Sequence, residues 1–211
     1  MPCGDLLQSC GLGATGVVMR VEVLTGGALE AALDDVARLR IAVFRAYPYL
    51  YDGDFAYERR YLQAYRDSAA AVLVGAFDGG RLVGAATGAP MEDHAQEFSD
   101  AFSTAGHALS EVFYCAESVL LPEYRGSGIG HRFFDLREAH ARALGRRVCA
   151  FCGVVRAEGH PLRPLGYASL DGFWRKRGYT PVPGALAQFR WKDIDQAEET
   201  AKALQFWMRT L

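Results

Sequence analysis

The stretch with the clearest chemical potential runs Glu117-Ser118-Val119-Leu120-Leu121-Pro122-Glu123-Tyr124-Arg125-Gly126-Ser127-Gly128-Ile129-Gly130-His131. A β-rich segment meets Pro122, then a turn carrying Gly126, Gly128 and Gly130, then a segment with apolar residues at Ile129, Phe133, Leu136, Ala139 and Ala143, the spacing of one buried helix face. Glycines let the backbone turn tightly and let a ligand approach without Cβ atoms in the way. The free N–H groups of a helix start, with the helix dipole behind them, make an anion site suited to a phosphate or pyrophosphate. Arg125 adds a positive charge at the same turn. A tight strand-to-helix turn without a ligand would use the same glycines, so their number alone decides nothing. No Gly-Lys-Ser/Thr follows, which excludes a Walker A loop.

Such a turn has to be held by a sheet. Residues 17–24 predict a first strand, and Leu29, Leu33, Val36, Leu39 and Val43 give helical periodicity over 28–46, stopped by Pro48. A second helix is expected over 55–65. Residues 70–77 and 81–88 predict strands joined at Asp78-Gly-Gly, a hairpin signal. Residues 91–109 are polar and predict a helical excursion; 111–121 predict one strand, 127–144 a helix ended by Gly145, and 147–155 a buried strand. A short helix over 170–177 and a final antiparallel pair over 186–194 and 203–211 complete the chain. The fold class is α/β: a mixed, mostly antiparallel central sheet flanked by helices. Residues 1–16 read as a flexible tail and 17–211 as one domain.

The spelling Leu-Leu-Pro-Glu-Tyr-Arg-Gly-Ser-Gly-Ile-Gly closely resembles the acetyl-CoA motif of the GNAT superfamily of N-acetyltransferases, whose core Gln/Arg-x-x-Gly-x-Gly/Ala is here Arg125-x-x-Gly128-x-Gly130. The element order over 17–211 is similar to that family's, and Phe173-Trp-Arg-Lys-Arg-Gly178-Tyr179 is similar to its aromatic-rich short helix. The resemblance implies acetyl-CoA as co-substrate in a gap between the fourth and fifth strands. Main chain of Ser118, Val119 and Leu120 would pair with the pantetheine arm. Amides of Gly126, Ser127, Gly128, Ile129, Gly130 and His131, with Arg125 at the edge, would hold the pyrophosphate. The Ser118 or Val119 amide would polarise the acetyl carbonyl. The reaction implied is direct attack by a primary amine, of a small molecule or an amino-terminal group, after a general base removes its proton. Glu117 is the first candidate for that base, because a Glu inside an apolar strand is unusual; Tyr114 and Glu111 are the others.

The family's acceptor region corresponds to Tyr47, Tyr49, Tyr51, Asp52 and Asp54, with Glu158 and His160 after the fifth strand. Tyr49, Tyr51 and Asp52 are the acceptor-binding candidates, since aromatics beside carboxylates suit a cationic amine, although ordinary packing of a Tyr-rich junction explains them equally well. One residue departs from the pattern. Trp174 stands where many members place a Tyr that protonates the leaving thiolate, and an indole N–H cannot act as an acid near neutral pH. That keeps open a non-catalytic acyl-CoA-binding or sensing module on the same fold.

Lys and Arg number 23 against 25 Asp and Glu, a formal net charge of −2, without the basic excess of a nucleic-acid binder. No run approaches the ~18 apolar residues of a membrane span, and no export signal is evident, so a cytoplasmic protein is expected. Pairing of C-terminal strands into a homodimer is allowed by the resemblance alone. Cys149-Ala-Phe-Cys152 matches C-x-x-C, but residues three apart on a strand face opposite sides, which separates the thiols. The His and Cys spacing predicts no metal site. Gly11-Leu-Gly13-Ala-Thr-Gly16 satisfies G-x-G-x-x-G, the basis for a dinucleotide-dependent oxidoreductase, yet lacks a strand before it.

Overall fold

The computed structural model describes residues 19–95, 98 and 106–211; the tail expected over 1–16 and its Gly-rich sequence lie outside them. The elements are β1 (Met19–Leu24), α1 (Gly26–Phe44), α2 (Phe55–Asp67), β2 (Val72–Asp78), β3 (Arg81–Pro90), β4 (Val112–Tyr114), β5 (Ser118–Leu120), α3 (Ile129–Ala143), β6 (Val148–Val154), α4 (Asp171–Lys176), β7 (Thr180–Lys192) and β8 (Glu199–Thr210). They form an 8-stranded sheet in the order β1-β2-β3-β4-β6-β8-β7, with β5 paired to β3 beyond the end of β4. β4 and β6 run parallel; the other pairings of the described strands are antiparallel. The mixed, mostly antiparallel class expected from the sequence is the one observed.

α1 and α2 lie on one side of the sheet, where Leu29, Val36, Leu39, Leu62 and Tyr65 pack with Leu73, Ala85, Ala89 and Val119. α3 lies against Val74, Val83 and Ala86 through Ile129 and Phe133, and against Cys149, Phe151 and Tyr179 through Phe134. Cys149 and Cys152 sit in different apolar clusters, as strand alternation requires, and both are free thiols.

The strand expected over 111–121 is two short strands. Tyr114 pairs with Ala89, whereas Ser118 pairs with Ala86, so the register slips by one residue. Thr87 faces two residues: its carbonyl accepts from the Ala116 amide and its amide donates to the Glu117 carbonyl, both at 3.1 Å. This is a β-bulge, which bends a strand and re-aims its side chains. A helical excursion was expected over 91–109; of the described residues there, Ala95 and Phe98 are helical, and 3-10 turns stand at Met91–His94 and Leu109–Glu111. The first strand of the final hairpin starts earlier than expected, at Thr180, because Pro181 and Pro183 disguise its apolar rhythm.

Candidate active site

The bulge opens the sheet. β4 holds β6 through residues 112–114, and the Cys115 amide donates to Ala150 at 2.8 Å. Beyond that bond β5 follows β3 and does not pair with β6, which leaves a gap between them. Glu117 and Leu121 both bond main chain of β3. Antiparallel pairing alternates sides, so Val119 also faces β3 and the amides of Ser118 and Leu120 face the gap. Of the two amides expected to polarise a carbonyl, the Ser118 amide therefore faces the gap.

Arg137 of α3 fixes this geometry. The side chain is fully buried. Its Nη1 donates to the carbonyls of Thr87 (3.0 Å) and Glu117 (3.1 Å), its Nη2 to Ser118 Oγ (2.8 Å), and its Nε to Phe133 O (3.2 Å). One side chain thus joins both strands of the bulge to the helix that begins at the glycine turn. Sequence reading missed it; the signal was an Arg one residue after Leu136, on the apolar stripe of a helix.

After β5 the chain makes a 3-10 turn at Pro122–Tyr124 and enters the glycine turn. Gly126 and Gly128 lie in the left-handed region at φ 77° and 86°, and a Cβ on either would meet nothing within 4 Å. Their glycine identity therefore answers to backbone conformation and access. The amides of Gly126, Ser127, Gly128, Ile129 and Gly130 have no acceptor among the described residues, and they gather at the N-terminus of the 15-residue helix α3. The His131 amide, included in the expected cradle, instead donates to Gly128 O at 3.0 Å, and the His131 ring packs edge-on against Phe173. Arg125 is exposed and its Nε donates to Leu120 O at 3.2 Å, which lays the guanidinium along the gap. Five free amides and a cation suit a pyrophosphate.

On the other side of the bulge lies a cavity of about 680 Å³ including its open mouth, lined by Arg40, Phe44, Tyr49, Tyr51, Tyr57, Glu58, Tyr61, Tyr114, Glu117, Phe189 and Trp191 among others. Glu117, 6 % exposed, points into it from the bulge. One Glu117 oxygen accepts from Arg40 Nη1 at 2.7 Å and faces the Tyr61 hydroxyl at 3.4 Å. Arg40 Nε donates to Glu58. The Arg40 guanidinium also lies over the Tyr61 ring, 4.4 Å from its centroid. Burial opposes charge on Arg40, but Glu117, Tyr61 and Glu58 outweigh it and hold the guanidinium well above its usual pKa. Arg40, Glu58, Tyr57, Tyr61 and Trp191 were not among the sequence candidates. Arg40 follows Val36 by four residues and Glu58 precedes Leu62 by four, so both charges stand on apolar helix faces. Such a placement requires a buried partner, and that was the available signal.

Tyr49 and Tyr51, two of the acceptor candidates, line the cavity. Asp52 does not: its carboxylate pairs with Lys192 at 2.6 Å and Arg45 at 3.3 Å, outside the cavity, and these cations hold it below its usual pKa. The Tyr114 hydroxyl lies 3.2 Å from Cys152 Sγ, and burial foremost pushes it well above its usual pKa. It stays protonated near neutral pH, which suits donation and not proton removal. Glu111 pairs with Arg147 (3.2 Å) and His107 (3.7 Å) at the surface.

The loop bearing Tyr49 and Tyr51 is clamped in place. Leu50 is in the left-handed region at φ 55°, a conformation costing a non-glycine residue about 1–2 kcal/mol. Its side chain is 3 % exposed, and its carbonyl accepts from the Ile194 amide at 2.7 Å. Arg156 donates to both oxygens of buried Asp193 (2.7 and 2.9 Å) and to the carbonyls of Pro48 and Tyr49, while Trp191 Nε1 donates to the same Tyr49 carbonyl. Of the other aromatic candidates, Trp174 packs on Phe151, Trp207 and the Gly153 backbone, Tyr179 donates to Glu138 at 3.1 Å in the core, and Tyr167 packs edge-on against Tyr47. Among the described residues no group of three or more His, Cys, Asp or Glu is placed to hold a metal ion, and no helix is long and apolar enough to cross a membrane.

The fold has counterparts among known proteins. Residues 35–179 match the model of the acetyltransferase (GNAT) family, and the chain belongs to that family. Comparison with curated proteins gives no match. Among solved structures, a protein of Acinetobacter baylyi ADP1 assigned to the acetyltransferases superposes with a TM-score of 0.60 at 14 % identity, covering 93 % of this chain and 94 % of that one. The Salmonella typhimurium protein yncA, whose structure contains acetyl-CoA, gives 0.56 at 12 % identity over 92 % and 94 %. A ribosomal-protein-alanine N-acetyltransferase from Brucella melitensis gives 0.58 at 15 % identity over 91 % and 99 %. At these identities the likeness is one of fold.

Proposed function

We propose that the protein transfers the acetyl group of acetyl-CoA to the primary amine of a small molecule or an amino-terminal group. The observation that carries this reading is the placement of Glu117. It stands on the bulge between two openings, a gap lined by unpaired main-chain donors and an aromatic cavity. In this reading the amides of residues 126–130 and Arg125 hold the pyrophosphate, and main chain of Ser118 and Leu120 lies along the pantetheine. Acetyl-CoA supplies an activated thioester carbonyl. The Ser118 amide donates to that carbonyl oxygen as charge develops on it. Glu117, through its carboxylate, takes one proton from the acceptor ammonium directly or through water. The amine nitrogen bonds to the carbonyl carbon, the C–S bond breaks, the nitrogen gives up its second proton to water, and the thiolate takes one from water, since Trp174 offers none.

The test is thermal unfolding with acetyl-CoA, beside NADH as control. At about 100 Kd, binding adds about 2.7 kcal/mol, or roughly 5–11 °C for a domain of this size. A shift with acetyl-CoA alone, followed by thiol release with an amine, supports the reading. No shift at millimolar acetyl-CoA overturns it. A shift without thiol release across an amine panel would favour the acyl-CoA-binding module that Trp174 keeps in play.

A further inference from the structure

We infer that the acceptor cavity takes a compact organic cation, an ammonium group on an aromatic or apolar body with no anionic group beside it. This deepens the acyl-transfer reading by naming the acceptor class, but the binding it describes stands apart from transfer. The charges facing the cavity are Glu58, Glu117 and Arg40. Arg190 also borders it, but strand alternation along β7 sends its side chain to the face opposite Phe189 and Trp191, where its Nη2 donates to Glu199 O at 3.0 Å. The two carboxylates share the Arg40 guanidinium through one oxygen each. Their other oxygens, Glu58 Oε1 and Glu117 Oε1, are buried and make no hydrogen bond, with the Tyr51 hydroxyl facing Glu58. One guanidinium against two carboxylates leaves one negative charge in excess. A buried carboxylate oxygen calls for a donor, and both carboxylates line the same cavity.

The walls fit the same occupant. Phe44, Tyr49, Tyr51, Tyr57, Tyr61 and Trp191 surround the acidic end, and aromatic faces attract an ammonium. Burial foremost holds the Tyr49 and Tyr61 hydroxyls above their usual pKa, so they remain neutral walls. A carboxylate on the acceptor would enter beside two carboxylates, with the guanidinium between them already engaged by both. An amino acid or another zwitterion is therefore disfavoured, and an arylalkylamine is favoured.

Titration calorimetry on the full chain with three probes of one shape tests this. Phenethylamine carries the ammonium alone, phenylalanine adds a carboxylate, and phenylethanol replaces the ammonium by a hydroxyl. Phenethylamine is expected to bind at least tenfold tighter than either. Equal or tighter binding of phenylalanine or phenylethanol overturns the inference, as does no binding of phenethylamine at millimolar concentration. Glu58→Gln is expected to weaken phenethylamine at least tenfold with the acetyl-CoA thermal shift unchanged; an unaltered affinity removes the ammonium seat. Tyr57→Ala at the exposed mouth leaves the core untouched, so it keeps the test decisive if Glu58→Gln does not fold. It is expected to cost phenethylamine threefold or more, and no loss counts against the aromatic walls. Amine selectivity without an acetyl-CoA shift would sustain the cavity assignment while sinking the transfer reading. An acetyl-CoA shift without amine selectivity would do the reverse.

Discussion

The glycine turn and the aromatic cavity lie on either side of β5 and are built on opposite principles. The turn is main chain. Five neighbouring amides converge because Gly126 and Gly128 take positive φ and α3 starts at once. The cavity is side chain. Arg40 comes from α1, Glu58 and Tyr61 from α2, Glu117 from the bulge and Trp191 from β7, so its parts stand up to about 150 residues apart. A main-chain site is fixed by a contiguous run of residues and tolerates little drift in spelling. A side-chain site is assembled by topology, and its elements can exchange residues while the sheet stays the same.

Variants that act on one region and spare the other sharpen this contrast. The largest effect is expected for Glu117→Gln, which removes the proton acceptor: kcat should fall by about 10²–10⁴ with acetyl-CoA affinity kept within a few fold. Turnover unchanged on a good acceptor would take Glu117 out of that role. Arg40→Met leaves two buried carboxylates without their shared cation. Removing one partner of a buried pair costs about 3–5 kcal/mol, so a clear fall in Tm is expected by calorimetry, partly restored when Glu58→Gln is added, because Glu117 still lacks its cation. A single variant as stable as the parent would mean that the pair carries little. Gly128→Ala meets no atom but forces a side chain to φ 86°, at about 1–2 kcal/mol. Acetyl-CoA affinity should drop about tenfold while amine binding stays, and equal losses of both would undo the contrast. The smallest effect concerns the clamp behind Tyr49. Burial opposes ionisation of Asp193, but Arg156 and then Lys202 outweigh it and hold the carboxyl below its usual pKa. Its stabilisation is full above the unfolded carboxylate pKa of about 3.9 and is lost as pH falls through the lower folded value. Asp193→Asn should flatten the acid limb of an unfolding profile below about pH 4, and an unchanged limb would show that other groups set it.

These differences also explain what the sequence disclosed. Hydrophobic periodicity placed most helices and strands, and the Arg125–Gly130 spelling placed the glycine turn, because both signals are local. The bulge was invisible, since residues 111–121 read as one continuous strand and the slip against Thr87 exists only once β3 is beside it. Tyr49 and Tyr51 were found through their neighbourhood, but Asp52 was grouped with them although Lys192, far along the chain, draws it outward. Arg40 and Glu58 were passed over although both are charges on apolar helix faces, and that Arg40 joins Glu58 to Glu117 is visible only after folding.

The strand order has a consequence for how the protein is made. β8 lies between β6 and β7 although it follows both in the chain. The glycine turn, α3 and β5 all precede it. Phe189 and Trp191, already made, have no sheet to join until Glu199–Thr210 leaves the exit tunnel and pairs with both neighbours. The half of the sheet that carries the glycine turn therefore precedes β8 in the chain, and the Phe189 and Trp191 wall joins the sheet through that strand.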